Sequence, residues 1–107
     1  MKMFTLALLL YRKPGTSIEQ YQSYWHDTHG PIAAKIPGLR GYVQNHVQPD
    51  SEGKTAVDGI ALLTFDSAEA MNAGLGSPEG KVALDDVANF ADMDRLVSFP
   101  VEPRRIV

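Results

Sequence analysis

The stretch that decides the fold is MFTLALLLY, residues 3–11, in which nearly every position is apolar. A continuous apolar run of this length is typical of a β-strand that is covered on both faces. Only one lysine precedes the run, and it ends at the segment Tyr11–Pro14 with no small-residue cleavage site, so it is not interpreted as a signal peptide. The sequence therefore predicts a buried first strand over Met3–Tyr11.

Two helices are predicted from capping signals. Ser17 and Gln20, three residues apart, form a capping box, and the helix that they open should end near Ile36, before a Pro-Gly pair. Ser67 and Ser77 are typical of two successive N-caps, and proline follows the second, so the second helix should be interrupted. The predicted helices cover Ser17–Ile36 and Ala68–Asp92.

Three further strands complete the pattern. The segment after the first helix alternates between two faces, as expected for a strand with two different environments. The two faces carry Leu39, Val43 and Val47 on one side and Tyr42, Gln44 and His46 on the other. The last segment contains Pro100 and Pro103, which confine it to a sheet edge or an interrupted strand. The predicted strands are Leu39–Gln48, Val57–Phe65 and Leu96–Val107.

The order βαββαβ predicts one α+β domain over residues 1–107, with an antiparallel sheet and both helices on one face. No helix would cover the opposite face of the sheet, although the first strand is apolar on both faces. Because a large exposed apolar face is unusual in a monomer, two copies are expected to pack sheet against sheet as a two-fold homodimer. A monomer with a less apolar second face is the alternative.

Composition excludes several kinds of partner and site. The 107 residues, 44% of them hydrophobic, suffice for one core but not for two. The chain has no cysteine, which excludes disulfides and thiolate chemistry and is compatible with the reducing cytoplasm. The net charge is -3, no basic run is longer than Arg104-Arg105, and no apolar run approaches the roughly 20 residues of a membrane span. We therefore expect a cytoplasmic protein that binds neither nucleic acid nor membrane.

The first helix carries the most informative side chains. At about 100° per residue, six of them fall within roughly a quarter of its circumference and form a buried stripe. The stripe consists of Ile18, Tyr21, Trp25, His29, Ile32 and Ile36. His29 is the one member that is neither apolar nor amphipathic, whereas His26 lies about 100° away from the stripe and should meet solvent or the rim.

His29 has two interpretations. It is either a core or capping histidine bonded to a backbone carbonyl, or a general acid or base in a pocket beside an aromatic wall. Tyr42, Gln44 and His46 could line such a pocket if their face of the strand points toward the helices. Small residues that would leave room for a ligand are Ala7 on the first strand and Gly59 and Ala61 on the third.

Other kinds of site are not indicated. The sequence has no GxGxxG, Walker A, GxSxG or HExxH motif. A metal site is disfavoured, because His26 and His29 point in different directions and no carboxylate is expected nearby. Haem binding, with His29 as the axial ligand, is an alternative that the sequence leaves. The scattered carboxylates are interpreted as solvated or capping side chains: Asp58, Asp66, Asp85, Asp86 and Asp92.

Short motifs along nearly the whole chain resemble, in their order and spacing, those of the EthD family. They are Tyr11–Gly15, Tyr24-Trp25, His29-x-Pro31, Pro37–His46, Asp58–Ala61, Phe65–Ser67, Glu69–Met71, Ser77–Gly80, Asp92 and Phe99. The resemblance implies a ferredoxin-like monomer that pairs into a dimeric α/β barrel, with a pocket between helices and sheet in each subunit. Leu62 and Thr64 stand where the family often has Glu and Trp, so no carboxylate of the third strand is expected to act.

The resemblance also implies a function. Similar proteins act as monooxygenases, lactone isomerases, dehydratases or decarboxylases beside polyketide and aromatic catabolic pathways, mostly without a cofactor. Carried over to this chain, the acid-base pair is His29 and Tyr42, while Tyr11, Trp25 and His46 would shape the substrate pocket. We therefore expect a cofactor-free oxidoreductase, isomerase or lyase that acts on a small hydrophobic aromatic, lactone or polyketide-like molecule. A non-catalytic ligand-binding or accessory protein of an oxidative degradation pathway is the alternative.

Overall fold

The computed structural model describes residues 2–107. Its strands are Phe4–Leu10 (β1), Gly41–His46 (β2), Gly59–Phe65 (β3) and Val97–Val101 (β4). Its helices are Ile18–Ser23 (α1), Gly30–Ala33 (α2), Ala68–Leu75 (α3) and Pro78–Val87 (α4), and Tyr24–His29 is a π-helical segment. The strands form one antiparallel sheet in the order β2-β3-β1-β4, which confirms the predicted α+β, ferredoxin-like arrangement. Within the described residues, no helix is both long and apolar enough to cross a membrane.

The capping signals act where the sequence predicts them. Ser17 Oγ accepts a hydrogen bond from Gln20 N at 3.1 Å, and Gln20 Oε1 accepts one from Ser17 N at 2.9 Å, so the capping box is complete. Ser67 and Ser77 likewise cap α3 and α4, each accepting from the N–H three residues further on. The interruption of the second helix therefore has a local cause, since Ser77 and Pro78 start a new helix.

The middle of the first helical region differs from the prediction of one regular α-helix. The backbone stays helical from α1 through the π-helical segment into α2, and Pro31 does not break it. The N–H of Gly30 donates to the carbonyl of Trp25, a bond that spans five residues instead of four. Such π-helical turns inside α-helices are frequent at functional sites. They also change the angle between successive side chains, so the 100° per residue of a regular α-helix does not hold across Tyr24–His29.

The helices cover one face of the sheet, and the strand register decides which side chains lie beneath them. Ala61 of β3 is paired with Leu8 of β1 and with Gln44 of β2, and these three side chains point toward the helices. Residues two positions apart on a strand share a face. Tyr42 and His46 therefore also face the helices, as the alternation in β2 predicts.

The opposite face of the sheet is uncovered by this chain and largely apolar. Ala7 lies on it, paired with Leu62 and Phe99, so the prediction that Ala7 leaves room for a ligand beneath the helices is wrong. Val43 is 52% exposed there and Phe99 is 38% exposed. The apolar members of this open face are Ala7, Leu9, Val43, Ile60, Leu62, Val97, Phe99 and Val101.

Gly59 at the start of β3 is expected to tolerate no larger residue. A Cβ atom at this position would lie 2.5 Å from Tyr21 Oη and 2.7 Å from Trp25 Cζ3, and both rings are fully enclosed in the core. We expect Gly59→Ala to lower the free energy of unfolding by about 1–3 kcal/mol through overpacking. Gly41→Ala is the matched control, because a Cβ there meets nothing closer than Thr64 Cβ at 3.6 Å. Chemical denaturation measures both, and equal effects would contradict the prediction.

Candidate active site

A small cavity lies between the helices and the sheet, with a volume of about 50 Å³. Three of its lining side chains carry a polar group, namely Trp25, His29 and Tyr42. The rest of the wall is aliphatic or aromatic and includes Leu8, Ala33, Ile36, Ala61, Leu63 and Phe90. The structure therefore brings His29 and Tyr42 to one apolar space, the arrangement that the resemblance implies.

His29 forms a pair with a carboxylate. It is 6% exposed, and its Nδ1 lies 2.8 Å from Asp86 Oδ2. Burial opposes ionisation of Asp86, but hydrogen bonds from Tyr24, Asn89 and His29 outweigh burial and hold the pKa of Asp86 below its usual value. Because a carboxylate only accepts hydrogen bonds, the Nδ1–H of His29 donates to Asp86, and Nε2 is the ring nitrogen without a partner. The expectation that Asp86 is solvated or capping is wrong, and so is the expectation that no carboxylate lies near His29.

The free nitrogen of His29, Nε2, is open to a ligand. It has no hydrogen-bond partner within residues 2–107. In the same part of the chain, the one fully buried side-chain nitrogen or oxygen without a partner is Tyr21 Oη, so Nε2 keeps some accessible surface. His29 also lines the cavity, with its ring centroid 4.8 Å from that of Phe90. This geometry does not match a core histidine bonded to a backbone carbonyl.

The π-helical segment brings a second side chain to the same carboxylate. Tyr24 Oη donates to Asp86 Oδ1 at 2.7 Å, and this hydrogen bond raises the pKa of Tyr24. Tyr24 and His29 are five residues apart, and in a regular α-helix their side chains would point about 140° away from each other. Asn89 Nδ2 donates to the same oxygen at 3.0 Å. Asp86 therefore receives hydrogen bonds on both oxygens and holds the imidazole in one orientation.

Tyr42 enters the cavity from β2. Burial raises the pKa of Tyr42, and interactions with the side chains of Gln44 and Trp25 oppose that effect only in part. The phenol is therefore protonated at neutral pH and can donate a hydrogen bond. Its oxygen accepts one from Gln44 Nε2 at 2.9 Å.

Comparison with known proteins decides the family. A family model described as the EthD domain matches residues 13–94, which is most of the chain. The chain belongs to the EthD family. The resemblance drawn from the sequence motifs is thereby confirmed.

Three solved structures resemble this EthD protein. An EthD family protein from Bacillus halodurans C-125 is 23% identical, with a TM-score of 0.77 over 94% of this chain and 99% of that chain. A dimeric ferredoxin-like protein of unknown function from Bacteroides fragilis NCTC 9343 is 16% identical, with a TM-score of 0.66 over 94% and 95%. SnoaB, a cofactor-independent oxygenase from Streptomyces nogalater, is 8% identical, with a TM-score of 0.70 over 100% and 98%. At these identities the likeness establishes the fold.

The other predicted site residues of the EthD chain lie in different places. Trp25 forms a wall of the cavity. His46 lies beside Trp25, with ring centroids 4.7 Å apart, in an open groove of about 540 Å³ outside the cavity. Tyr11 does not line the cavity, because its ring lies under the guanidinium of Arg95 at 3.9 Å in a separate polar groove. His26 is exposed, in agreement with the prediction.

Asp58 is a second carboxylate that is not solvated. It is buried, and its oxygens accept hydrogen bonds from Arg12 Nη1 at 2.9 Å, Arg12 N at 2.8 Å and Thr55 Oγ1 at 2.6 Å. These bonds tie the segment after β1 to the loop before β3. Asp58 lines the polar groove beside Tyr11 and does not line the cavity that holds His29.

The donor set does not suit a metal or haem. Across residues 2–107, His, Asp and Glu side chains do not come together in groups of three or more that could hold a metal ion. The cavity at His29 is about 50 Å³, far smaller than a porphyrin, so the residues present do not fit haem as a ligand of His29.

Proposed function

We propose that this EthD protein catalyses a proton transfer on a small hydrophobic molecule without a cofactor. The observation that carries the proposal is the His29–Asp86 pair: His29 lines an apolar cavity, and its Nε2 has no hydrogen-bond partner among residues 2–107. An imidazole whose other nitrogen is held by a carboxylate is a common general base in enzymes. Tyr42 on the same cavity wall supplies a hydrogen-bond donor.

The proposed step is removal of a proton next to a carbonyl group or from a phenol. Nε2 of His29 takes the proton, and the electron pair of the broken bond moves onto the substrate oxygen. Tyr42 Oη donates a hydrogen bond to that oxygen, and Asp86 stabilises the imidazolium. Return of the proton to another atom gives an isomer, loss of a neighbouring hydroxyl as water gives dehydration, and reaction of the anion with dioxygen gives oxidation.

The size of the cavity limits the substrate. Pockets that enclose drug-sized ligands measure roughly 300–1,000 Å³, whereas this cavity measures about 50 Å³. A benzene ring fits a cavity of roughly 150 Å³, so the ring of a phenol or lactone enters this one only if side chains move. Leu84 lines the cavity and is 46% exposed, so a larger substrate would enter by displacing it.

A substrate screen tests the proposed function. The purified protein is incubated with quinols, lactones and small polyketide-like phenols in buffer that contains a chelator but no cofactor, and products are detected by mass spectrometry. We expect turnover of at least one enolisable or phenolic compound. Binding without turnover across the panel would support the non-catalytic alternative, a carrier or accessory protein.

We further propose that two copies pair through the open face of the sheet, since an apolar face of this extent is unusual in a monomer. Phe99→Glu places a charge on this face and is expected to convert dimers to monomers at micromolar concentration. Val82→Glu is the matched control, because Val82 is also apolar and exposed, at 57%, but lies on α4. Analytical ultracentrifugation gives the mass of each variant. A monomeric wild type, or a Phe99→Glu variant that still dimerises, would contradict this prediction.

A further inference from the structure

The side-chain amide of Gln44 connects β2 to the helix above it. Its Nε2 donates to the backbone carbonyl of Trp25 at 2.8 Å and to Tyr42 Oη at 2.9 Å. Its Oε1 lies 2.8 Å from His46 Nε2. The amide also packs against the helix, since a Cβ at Gly30 would lie 3.6 Å from Gln44 Nε2. Both polar atoms of the Gln44 side chain therefore have hydrogen-bond partners.

The direction of each hydrogen bond follows from the carbonyl of Trp25. A backbone carbonyl only accepts, so the NH₂ group of Gln44, and not its oxygen, must face Trp25. The second hydrogen of the NH₂ group then goes to Tyr42, whose oxygen accepts it. The amide oxygen is left facing His46, so Nε2 of His46 must carry a proton and donate.

We propose that Gln44 is a positioning residue, which makes Tyr42 a hydrogen-bond donor into the cavity and thereby selects ligands that carry a carbonyl or phenolate oxygen. The oxygen of Tyr42 already accepts from Gln44, and the hydroxyl donates no hydrogen bond among residues 2–107, so its hydrogen is free for a ligand. Tyr42 lines the cavity and also the open groove beside His46, and we assign the free hydrogen to the cavity that His29 shares. Of the three polar side chains that line the cavity, His29 then offers an acceptor at Nε2 and Tyr42 offers a donor at Oη. This inference rests on the proposed function for its catalytic meaning, but its hydrogen bonds can be tested separately.

The protonation of His46 tests the direction of the bonds without any substrate. Burial, and after it the neighbouring His26, lower the pKa of His46, so the ring is neutral at pH 7.5 and has one N–H. Nitrogen chemical shifts of the imidazole, measured by NMR on the wild type, report which nitrogen carries the hydrogen. We expect the Nε2–H form. A dominant Nδ1–H form would overturn the proposal, because Gln44 Oε1 would then have no donor.

Binding of a matched pair of probes tests the selection of ligands. Cyclopentanone and cyclopentane have similar shapes, and only the ketone accepts a hydrogen bond. The ratio of their dissociation constants, from NMR titration, is expected to shift against the ketone by about three- to tenfold in Gln44→Met, as for the loss of one hydrogen bond. Gln22→Met is the control, since Gln22 also donates to a backbone carbonyl, that of Val47, but makes no hydrogen bond to Tyr42.

A double variant separates positioning from general damage. If Gln44 acts through Tyr42, then Tyr42→Phe alone shifts the ratio as far as Tyr42→Phe combined with Gln44→Met. Additive shifts, or failure of the wild type to bind either probe, would overturn the proposal. If Gln44→Met does not fold, Gln44→Glu serves instead, because its carboxylate would accept the Tyr42 hydrogen and lower the preference for the ketone. Correct probe selectivity without turnover of any substrate would refute the proposed function and leave this inference intact.

Discussion

Replacing His29 with glutamine is expected to reduce kcat/KM by about 10²- to 10⁴-fold, the usual contribution of a general base. Glutamine keeps a polar side chain of similar size on the cavity wall, but it cannot take a proton at neutral pH. Among the described residues that line the cavity, His29 is the only one with a basic side chain. Steady-state kinetics on the substrate identified by the screen, with circular dichroism to check folding, measures the effect.

His26→Gln is the matched control for His29→Gln. His26 is an exposed histidine three residues away on the same helical region, and it does not line the cavity. We expect its kcat/KM to stay within about twofold of wild type, since exposed substitutions rarely disturb a fold. Full turnover in His29→Gln would remove the histidine mechanism. Unchanged ligand binding in His29→Gln, together with no turnover in any variant, would favour a carrier.

Replacing Asp86 with asparagine is expected to reduce kcat by at least about tenfold, because the amide does not stabilise the imidazolium and favours the wrong tautomer of His29. Asp86 Oδ2 now accepts a hydrogen bond from His29 Nδ1 as a charged group, and asparagine would remove that charge. Asp85→Asn is the control, since Asp85 is the preceding residue on α4 and is exposed. Equal losses in the two variants would show that Asp86 does not act through His29.

The same substitution should change the pH dependence of stability. The pKa of Asp86 is lowered in the folded protein, so its ionisation stabilises the fold. That contribution is complete above the unfolded pKa of about 3.9 and is lost as the pH falls through the folded value. The free energy of unfolding should therefore differ more between wild type and Asp86→Asn at pH 7 than at pH 3. A constant difference over this range would contradict the assignment.

Much of the fold could be predicted because its signals are local. The capping box at Ser17 depends on residues three positions apart, and the N-caps at Ser67 and Ser77 likewise depend on their own neighbours. The alternation of β2 correctly places Tyr42 toward the helices, because side chains on a strand change sides at every residue. It is harder to predict which side chains of β1 point toward the helices. Since that run is apolar at nearly every position, its pattern cannot tell which face Ala7 shares.

The sequence does not identify Asp86 as the carboxylate that pairs with His29. Asp86 is 57 residues from His29, so only the packing of α4 against the first helical region brings the two together. One signal was present, because Asp86 lies three residues after Ala83 and one before Val87, both buried positions of α4. At about 100° per residue, Asp85 lies on the opposite side of α4 from these two residues, so helical phase favours Asp86. The sequence does not show which element packs against that side of α4.

The sequence by itself determines the elements, their order, the family and the burial of His29, because all of these follow from short-range patterns and motif spacing. The tertiary structure alone decides which nitrogen of His29 is free. That choice depends on Asp86 from a distant helix and on the π-helical segment, which turns Tyr24 and His29 toward the same carboxylate. In the same way, only the packing of Gln44 against the Trp25 carbonyl decides that Tyr42 donates into the cavity. Hydrogen-bond direction is set by the partners that packing supplies, and no local pattern in the sequence encodes it.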